Sequence, residues 1–285
     1  MTVVIKVGGA RAVDPAGALA DVATLVEEGE DVVVVHGGST KVDETLERLG
    51  IDPEYVETPG GVVGRFTDEA TMEAFEMAFG HLNTRLVAGL QSEGVDAVGL
   101  NGVDGKLLYG PRKSAVRVVE DGKRKIRRGD HSGSIKQVNG DLLESLLSDG
   151  YTPVAAPPMA GKDGEEVLAV NTDADRSAAA IAAELDATLV LLTDVAGVYA
   201  DPDDPDTLIE SVETGDDWAA LEDAAEGFMG RKVMAVEEAL GGGAPEAVVA
   251  DANADEPILS ALSGGGTHVH ASALETETDA TEAEQ

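Results

Sequence analysis

The run Val3-Val4-Ile5-Lys6-Val7-Gly8-Gly9 decides the fold. Its β-branched residues describe a strand buried on both faces, the kind found in parallel sheets covered by helices. The Gly-Gly that ends it lets backbone N–H groups approach an anion, because no Cβ stands in the way. Lys6 interrupts the run, and a lysine there is costly unless its charge has a partner. Two readings are open: a side chain that snorkels to the sheet edge, or an ammonium beside transferring phosphoryl oxygens.

The same design recurs along the chain. A helix over about Pro15 to Glu28 leads to a second buried strand, Val32-Val33-Val34-Val35, which ends at His36-Gly37-Gly38. Residues 68–93 read as one long helix, with Met72, Phe75, Phe79, Leu82, Leu86 and Leu90 at helical spacing. Strands are expected at Ala97 to Leu100 and Thr152 to Ala156, and a helix at Asp141 to Ser148. The second half repeats the style. An Ala-rich helix over Ala174 to Leu185 precedes the strand Leu189 to Leu192, which ends at Thr193-Asp194. After a turn-rich loop at Asp201 to Asp206 come a helix from about Met229 to Leu240 and strands at Ala247 to Val249 and Thr267 to Val269. This alternation predicts an α/β chain, a three-layer αβα sandwich around a mainly parallel sheet. Residues 1–168 and 169–270 are expected to form two lobes, and residues 271–285 an acidic, disordered tail.

Composition narrows the function classes. None of the apolar runs approaches the roughly 20 residues that span a bilayer. The segment Met1 to Lys6 lacks the marks of a signal peptide, so the expected location is cytoplasmic. With no Cys there is neither a disulfide framework nor a thiolate. The net charge of −35 implies strong self-repulsion at low ionic strength, which molar salt relieves. Low Lys content and abundant Ala agree with a halophile's protein. The five His residues give no metal site, since His268 and His270 alternate on a terminal strand without a further ligand set.

The charge is not uniform. Lys106 to Lys136 holds ten of the 20 Lys and Arg residues against three acids, a local charge of +7 that leaves the remainder at −42. Its centre, Val116 to Arg128, reads as two short strands around a turn at Asp121-Gly122. Such an arm contacts an acidic partner, a phosphate group or a nucleic acid, or else neutralises acids of its own fold. A nucleic acid is disfavoured, because the rest of the surface repels phosphate.

Neither GxxxxGK[ST] nor GxGxxG occurs, which excludes the familiar phosphate and dinucleotide loops. Asn171-Thr172-Asp173-Ala174-Asp175-Arg176 stands before the Ala-rich helix, and capping accounts for one of its acids only. Gly227 to Lys232 opens the helix near residue 230, where a phosphate would offset an unfavourably placed lysine.

Taken together, Lys6 to Gly9, His36 to Ser39, Gly64 to Asp68, Asn171 to Asp175, Thr193 to Val195 and Met229 to Lys232 occur in the order seen in the amino-acid kinase family, which the chain resembles over about residues 2–269. It is similar to the N-acetylglutamate kinases, and more so to the branch whose glutamate or 2-aminoadipate substrate is attached to the small acidic amino-group carrier protein LysW. The resemblance implies the carbamate kinase-like fold, a homodimer, and ATP with Mg²⁺ held mainly by the phosphates. It implies that Lys6 and Lys232 stabilise the phosphoryl-transfer transition state, with Asp175 orienting both. Gly8, Gly9, Gly37 and Gly38 would bind phosphate and substrate oxygens, Arg65 the substrate α-carboxylate, Ser39 and Asn171 the substrate, and Thr193 and Asp194 the nucleotide. Residues 1–168 would then bind the acyl substrate and carrier, and residues 169–270 ATP. Arg112, Lys113, Arg117, Lys123, Arg124, Lys125, Arg127 and Arg128 are the expected carrier contacts. Ser39 stands where acetylglutamate enzymes commonly have a third Gly, and Asp173 where they have Asn; both departures favour the carrier-linked branch. A nucleotide-sensing protein without catalysis is the alternative from another class.

Overall fold

Val3 to Val7 form the strand that the apolar run calls for, and it lies inside a 12-stranded sheet, not at its edge. The computed structural model describes residues 1–8, 15–59, 61, 63–120, 122–225 and 227–275. The first elements are strand β1 (Thr2–Val7), helix α1 (Pro15–Glu27), β2 (Asp31–His36), α2 (Ser39–Leu49), β3 (Tyr55–Glu57), β4 (Val63–Arg65) and α3 (Glu69–Ser92). There follow β5 (Ala97–Gly102), β6 (Leu108–Glu120), β7 (Lys123–Gly133), β8 (Gln137–Val138), α4 (Gly140–Ser148), β9 (Thr152–Asp163) and β10 (Glu166–Val170). The second half holds α5 (Ala174–Glu184), β11 (Thr188–Thr193), β12 (Ser211–Val212), α6 (Gly215–Ala224), α7 (Gly227–Gly241), β13 (Glu246–Asp251), α8 (Pro257–Leu262) and β14 (Thr267–His270).

The sheet runs β12-β14-β13-β11-β1-β2-β9-β6-β7, with β5 and β10 also on β9 and β8 on β6. Its centre is parallel, as the continuous apolar runs predict. Alternation divides each central strand between two helical layers. Val3, Ile5 and Val7 pack with Val22 and Leu25 of α1 and Ile258 of α8. Val4 faces the other way, among Ala178, Ile181 and Ala182 of α5 and Val233 and Val236 of α7. Lys6 shares the face of Val4 and is therefore aimed at α5 and α7. The chain leaves β1 towards β2 on one side, and β11 towards β13 on the other. The switch point between β1 and β11 is the crevice where open α/β sheets bind ligands.

Several expectations change in detail. The basic hairpin is longer than two short strands, because β6 and β7 each continue into the sheet region, where β6 pairs with β9. α2, the β3–β4 hairpin, β10, α6 and α8 had no counterpart in the sequence reading. α7 begins at Gly227, so Lys232 stands in its second turn and not at its opening. Residues 271–274, expected in the tail, form a 3₁₀ turn with Ala273 in the core, and residues 276–285 lie outside the described residues.

Candidate active site

Lys6, Asp175 and Lys232 meet at the switch point. Lys6 Nζ lies 2.7 Å from Asp175 Oδ1, and Lys232 Nζ donates to Oδ2 at 3.0 Å. Lys6 and Asp175 are 8% and 9% exposed, so this is a buried cluster of two ammonium groups on one carboxylate. Burial alone would push the Asp175 carboxyl up; the two neighbouring lysines outweigh it and hold it below the usual carboxylate range. Lys232 is pushed down by burial and by Lys6, against the pull of Asp175. With all three ionised the cluster carries a surplus positive charge in a region of low polarity, which an anion would relieve.

Local structure holds each member in place. Asp173 caps α5 by accepting from Arg176 N at 3.1 Å, which leaves Asp175 free to turn inwards. Arg176 ties α5 to α7 through Glu238, with Nε to Oε2 at 2.8 Å and Nη2 to Oε1 at 2.5 Å. Asp194 follows β11, and Thr193 Oγ1 donates to it at 3.2 Å.

The neighbouring strand end supplies anion donors. Gly38 is the N-cap of α2 and offers no capping side chain, so first-turn N–H groups stay available. A Cβ on Gly38 would stand 2.8 Å from Leu82 Cδ1 and 3.0 Å from Phe79 Cε1, so any larger residue forces these side chains of α3 to shift. Ser39 begins the helix, exposed. His36 is buried beneath, and burial pushes its imidazole down to about 4. In the neutral form Nδ1–H donates to the Gly37 carbonyl at 3.0 Å, and Nε2 accepts from the Asn83 amide at 3.3 Å. Gly8 ends β1, and Gly9 lies outside the described residues.

Arg65 sits between the rings of Tyr55 and Phe75, 5.5 and 5.3 Å from their centroids. Its Nη2 ion-pairs with Asp43 of α2 and donates to Tyr55 Oη at 3.1 Å. Its Nε is buried with no hydrogen-bond partner among the described residues, which leaves a donor for a bound carboxylate. Asn171 ends β10, with its amide donating to Thr67 Oγ1 at 3.3 Å. Asp43, Tyr55 and Asn83 are absent from the sequence reading, and Phe75 figures there only as an apolar position of the long helix; Asp43 went unread because α2 itself was not recognised.

The basic hairpin has two different faces. Directly opposed residues share a face, so Ala115 with Arg128, Arg117 with Ile126, and Val119 with Arg124 form one side. Val116 with Arg127, Val118 with Lys125, and Glu120 with Lys123 form the other. The second side is turned inwards: Val118 is buried, Arg127 pairs with Glu54 over the Phe66 ring, and Lys125 pairs with Glu120. Arg112, at the base, pairs with Asp163. The outer side shows Arg117, Arg124 and Arg128 around Ile126, which is 67% exposed, with no acid among its described residues. Lys113 and Lys123 are exposed at the base and near the tip.

A buried pair of lysines bridged by one aspartate at a switch point, beside an open helix N-terminus, is an α/β site suited to an anion. The chain belongs to the amino acid kinase family, whose profile matches residues 1–251. It is 43% identical over 273 residues to the [LysW]-aminoadipate kinase of Thermus thermophilus, covering 94% of this chain and 99% of that one. It is 42% identical over 270 residues to the acetylglutamate kinase of Methanopyrus kandleri, covering 93% and 99%. Among solved structures it is similar to N-acetylglutamate synthase from Neisseria gonorrhoeae, with a TM-score of 0.74 and 25% identity. That match covers 94% of this chain but 59% of the synthase. Carbamate kinase from Giardia lamblia superposes with a TM-score of 0.65 at 16% identity, covering 94% and 98%, a likeness of fold. Among the described residues no helix is long and apolar enough to cross a membrane.

Proposed function

We propose that the chain transfers the γ-phosphoryl group of ATP to the side-chain carboxylate of glutamate or 2-aminoadipate carried on an acidic amino-group carrier protein, in arginine or lysine biosynthesis. The observation that carries the chemistry is the Lys6–Asp175–Lys232 cluster with its surplus positive charge. A substrate carboxylate oxygen forms a bond to the γ-phosphorus while the bond to the β–γ bridging oxygen breaks, giving an acyl phosphate and ADP without proton transfer. Lys6 and Lys232 stabilise charge on the transferring oxygens, and Asp175 keeps both ammonium groups aligned. Thr193 and Asp194 flank the nucleotide; Gly8, Gly37, Gly38 and Ser39 receive phosphate and substrate oxygens; Arg65 and Asn171 hold the substrate. Both Asp175 oxygens are occupied by lysines, and no group of three potential metal-ligating side chains occurs among the described residues. This donor set fits Mg²⁺ held by the nucleotide's phosphates, where it neutralises charge.

Residues 1–168 then serve the acyl substrate and carrier, and residues 169–270 the nucleotide. The carrier reading draws on the relatives' names and on the outer face of the hairpin, where Arg117, Arg124 and Arg128 suit an acidic protein. A cytoplasmic, halophilic setting suits the net charge of −35 and the biosynthetic kinases that the chain resembles. A homodimer rests on the family resemblance, and β5 offers a free sheet edge among the described residues.

The test is turnover in about 2 M KCl, a salt level at which surface charges are screened within roughly 3 Å. Acyl phosphate is trapped with hydroxylamine from carrier-linked glutamate, carrier-linked aminoadipate and free N-acetylglutamate. Hydroxamate from the carrier-linked pair alone is expected. Turnover of free N-acetylglutamate alone assigns the neighbouring activity, and ATP binding without any turnover assigns a sensor.

A further inference from the structure

The strand that carries half of the basic arm also holds the substrate site. β7 runs from near the tip of the arm to Gly133, and its two halves grip different segments. In the first half Arg127 pairs with Glu54, and its guanidinium lies 4.3 Å from the Phe66 ring centroid. Phe66 N in turn donates to the Glu54 carbonyl at 2.8 Å. The loop closed in this way, Glu54 to Phe66, contains Arg65. In the second half, His131 N donates to the Thr67 carbonyl at 2.7 Å, and its own carbonyl accepts from Asn171 N at 2.7 Å. Gly133 N donates to the Asn171 carbonyl at 2.8 Å. One strand is thus bonded on either side of Arg65 and to Asn171 itself.

The junction between the halves is fixed by Asp130, which is 4% exposed. Its carboxylate accepts from Ser132 Oγ and, at 3.4 Å, from Thr67 N. Its backbone carbonyl accepts from Arg112 Nε at 3.2 Å and Nη2 at 3.1 Å. A buried aspartate, Arg127 and the His131 backbone are committed here to segments that bear Arg65 and Asn171, and Arg112 holds Asp130 in place. Their ion pairs go to Glu54 and Asp163, none to the Lys6–Asp175–Lys232 cluster.

We propose that β7 is a positioning element as well as a docking arm: Arg127 and Asp130 hold Arg65 and Asn171 in one register, so that order imposed on the outer face by a docked acidic protein reaches the substrate. The identity of the docked protein rests on the carrier reading; the positioning itself applies to whichever acyl acceptor the enzyme uses. Arg127 and Asp130 are positioning residues, acting through Arg65 and Asn171. Displacing reacting groups by about 1 Å costs on the order of 10²-fold in rate, so a loosened register reads out in kcat.

The experiment uses the full chain in molar KCl and measures kcat and KM for the acyl acceptor together with KM for ATP. Arg127→Gln is expected to lower kcat about tenfold or more with the KM for ATP unchanged. Arg127→Lys, which keeps a charge for Glu54, recovers most of that loss. Arg124→Gln with Arg128→Gln, on the outer face, instead raises KM for the carrier-linked substrate. If Arg127→Gln does not fold, Glu54→Gln breaks the same pair from its exposed side and is read in the same way. Wild-type kcat in the pair-breaking variant overturns the proposal, as does a loss that Lys does not recover or that KM for ATP shares. Should the wild type use free N-acetylglutamate alone, the carrier reading fails, and kcat of Arg127→Gln on that substrate still decides the positioning. An enzyme that turns over no acyl acceptor overturns both.

Discussion

Replacing Asp175 by Asn probes the centre of the site. The carboxylate lies 2.7 and 3.0 Å from two ammonium groups. At an effective dielectric of about 20, each contact carries about 6 kcal/mol of attraction, part of which offsets the desolvation of the charges. Deleting one partner of a buried pair costs about 3–5 kcal/mol, because the other charge remains buried. Asn leaves two such charges, so a loss of at least that size is expected at neutral pH, a large share of the roughly 5–15 kcal/mol that holds a domain together. Molar salt does not mask it, since buried pairs are screened weakly. The sign of the pH dependence follows from the lowered carboxyl. Such a group stabilises fully above its unfolded value of about 3.9 and loses that contribution as pH falls through the folded value. Wild type and Asp175→Asn therefore differ most near neutrality and converge in acid. Urea unfolding from about pH 7 down to about pH 3, in KCl, measures the gap directly. ATP should stabilise the variant, because phosphate restores a counter-charge. A variant within about 1 kcal/mol of wild type at neutral pH, or a gap that widens in acid, would refute the reasoning.

Four further outcomes are expected. His36, pushed down to about 4 by burial, refuses a proton that the unfolded chain accepts near 6.5. Stability therefore falls by about 3 kcal/mol as pH drops from 6.5 to about 4, and His36→Gln flattens that slope in urea titrations. The lowered Lys232 loses its proton below the ordinary lysine value, so kcat/KM for ATP declines at alkaline pH while folded stability rises through the same window. Bound phosphate opposes that loss, which moves the alkaline limb of kcat to higher pH than that of kcat/KM. Gly38→Ala forces its Cβ against Phe79 and Leu82, costing about 1–3 kcal/mol of stability in denaturant unfolding and raising KM for the acyl acceptor. Arg124→Lys with Arg128→Lys keeps the charge but loses the planar fork, and in molar salt should raise KM for the carrier-linked substrate nearly as far as the Gln pair does.

The parts legible in the sequence are those whose residues contradict their surroundings. Lys6 in an apolar strand and an excess of polar residues before α5 are violations of local rules, and both turn out to meet in one cluster. Gly38 was legible as a glycine with a purpose, although its crowding by Phe79 and Leu82 depends on α3 coming back over α2. Residues that obey local rules were silent. Asp43 and Glu54 look like ordinary surface acids, and only tertiary folding sets them against Arg65 and Arg127. Asp130 looked like one acid in a basic segment, yet it is the buried knot between the arm and the substrate loop. α2 was legible as well: Val42, Leu46 and Leu49 stand at helical spacing with Val42 and Leu46 fully buried, whereas β3 and β4, at three residues each, are too short to show a period.

Neutralising acids of its own fold and meeting an acidic partner are compatible roles for the basic segment. Three of the eight cations from Arg112 to Arg128 neutralise acids of the same chain: Arg112 with Asp163, Lys125 with Glu120, and Arg127 with Glu54. The first and third brace the arm against the body, the second ties its two strands together, and Arg117, Arg124 and Arg128 are left on the outer face. In molar salt a charge is felt over about 3 Å, so a patch cannot steer a partner from afar and must work by contact. The composition of the outer face suits contact: Arg117, Arg124 and Arg128 present forks able to grip carboxylates in two places, and Ile126 among them adds an apolar contact that salt does not screen. A surface meant for long-range attraction in dilute buffer would gain from any cation in any number. One that works in molar salt gains from few cations of fixed geometry, which is the form that the proposed carrier contact and halophilic setting call for.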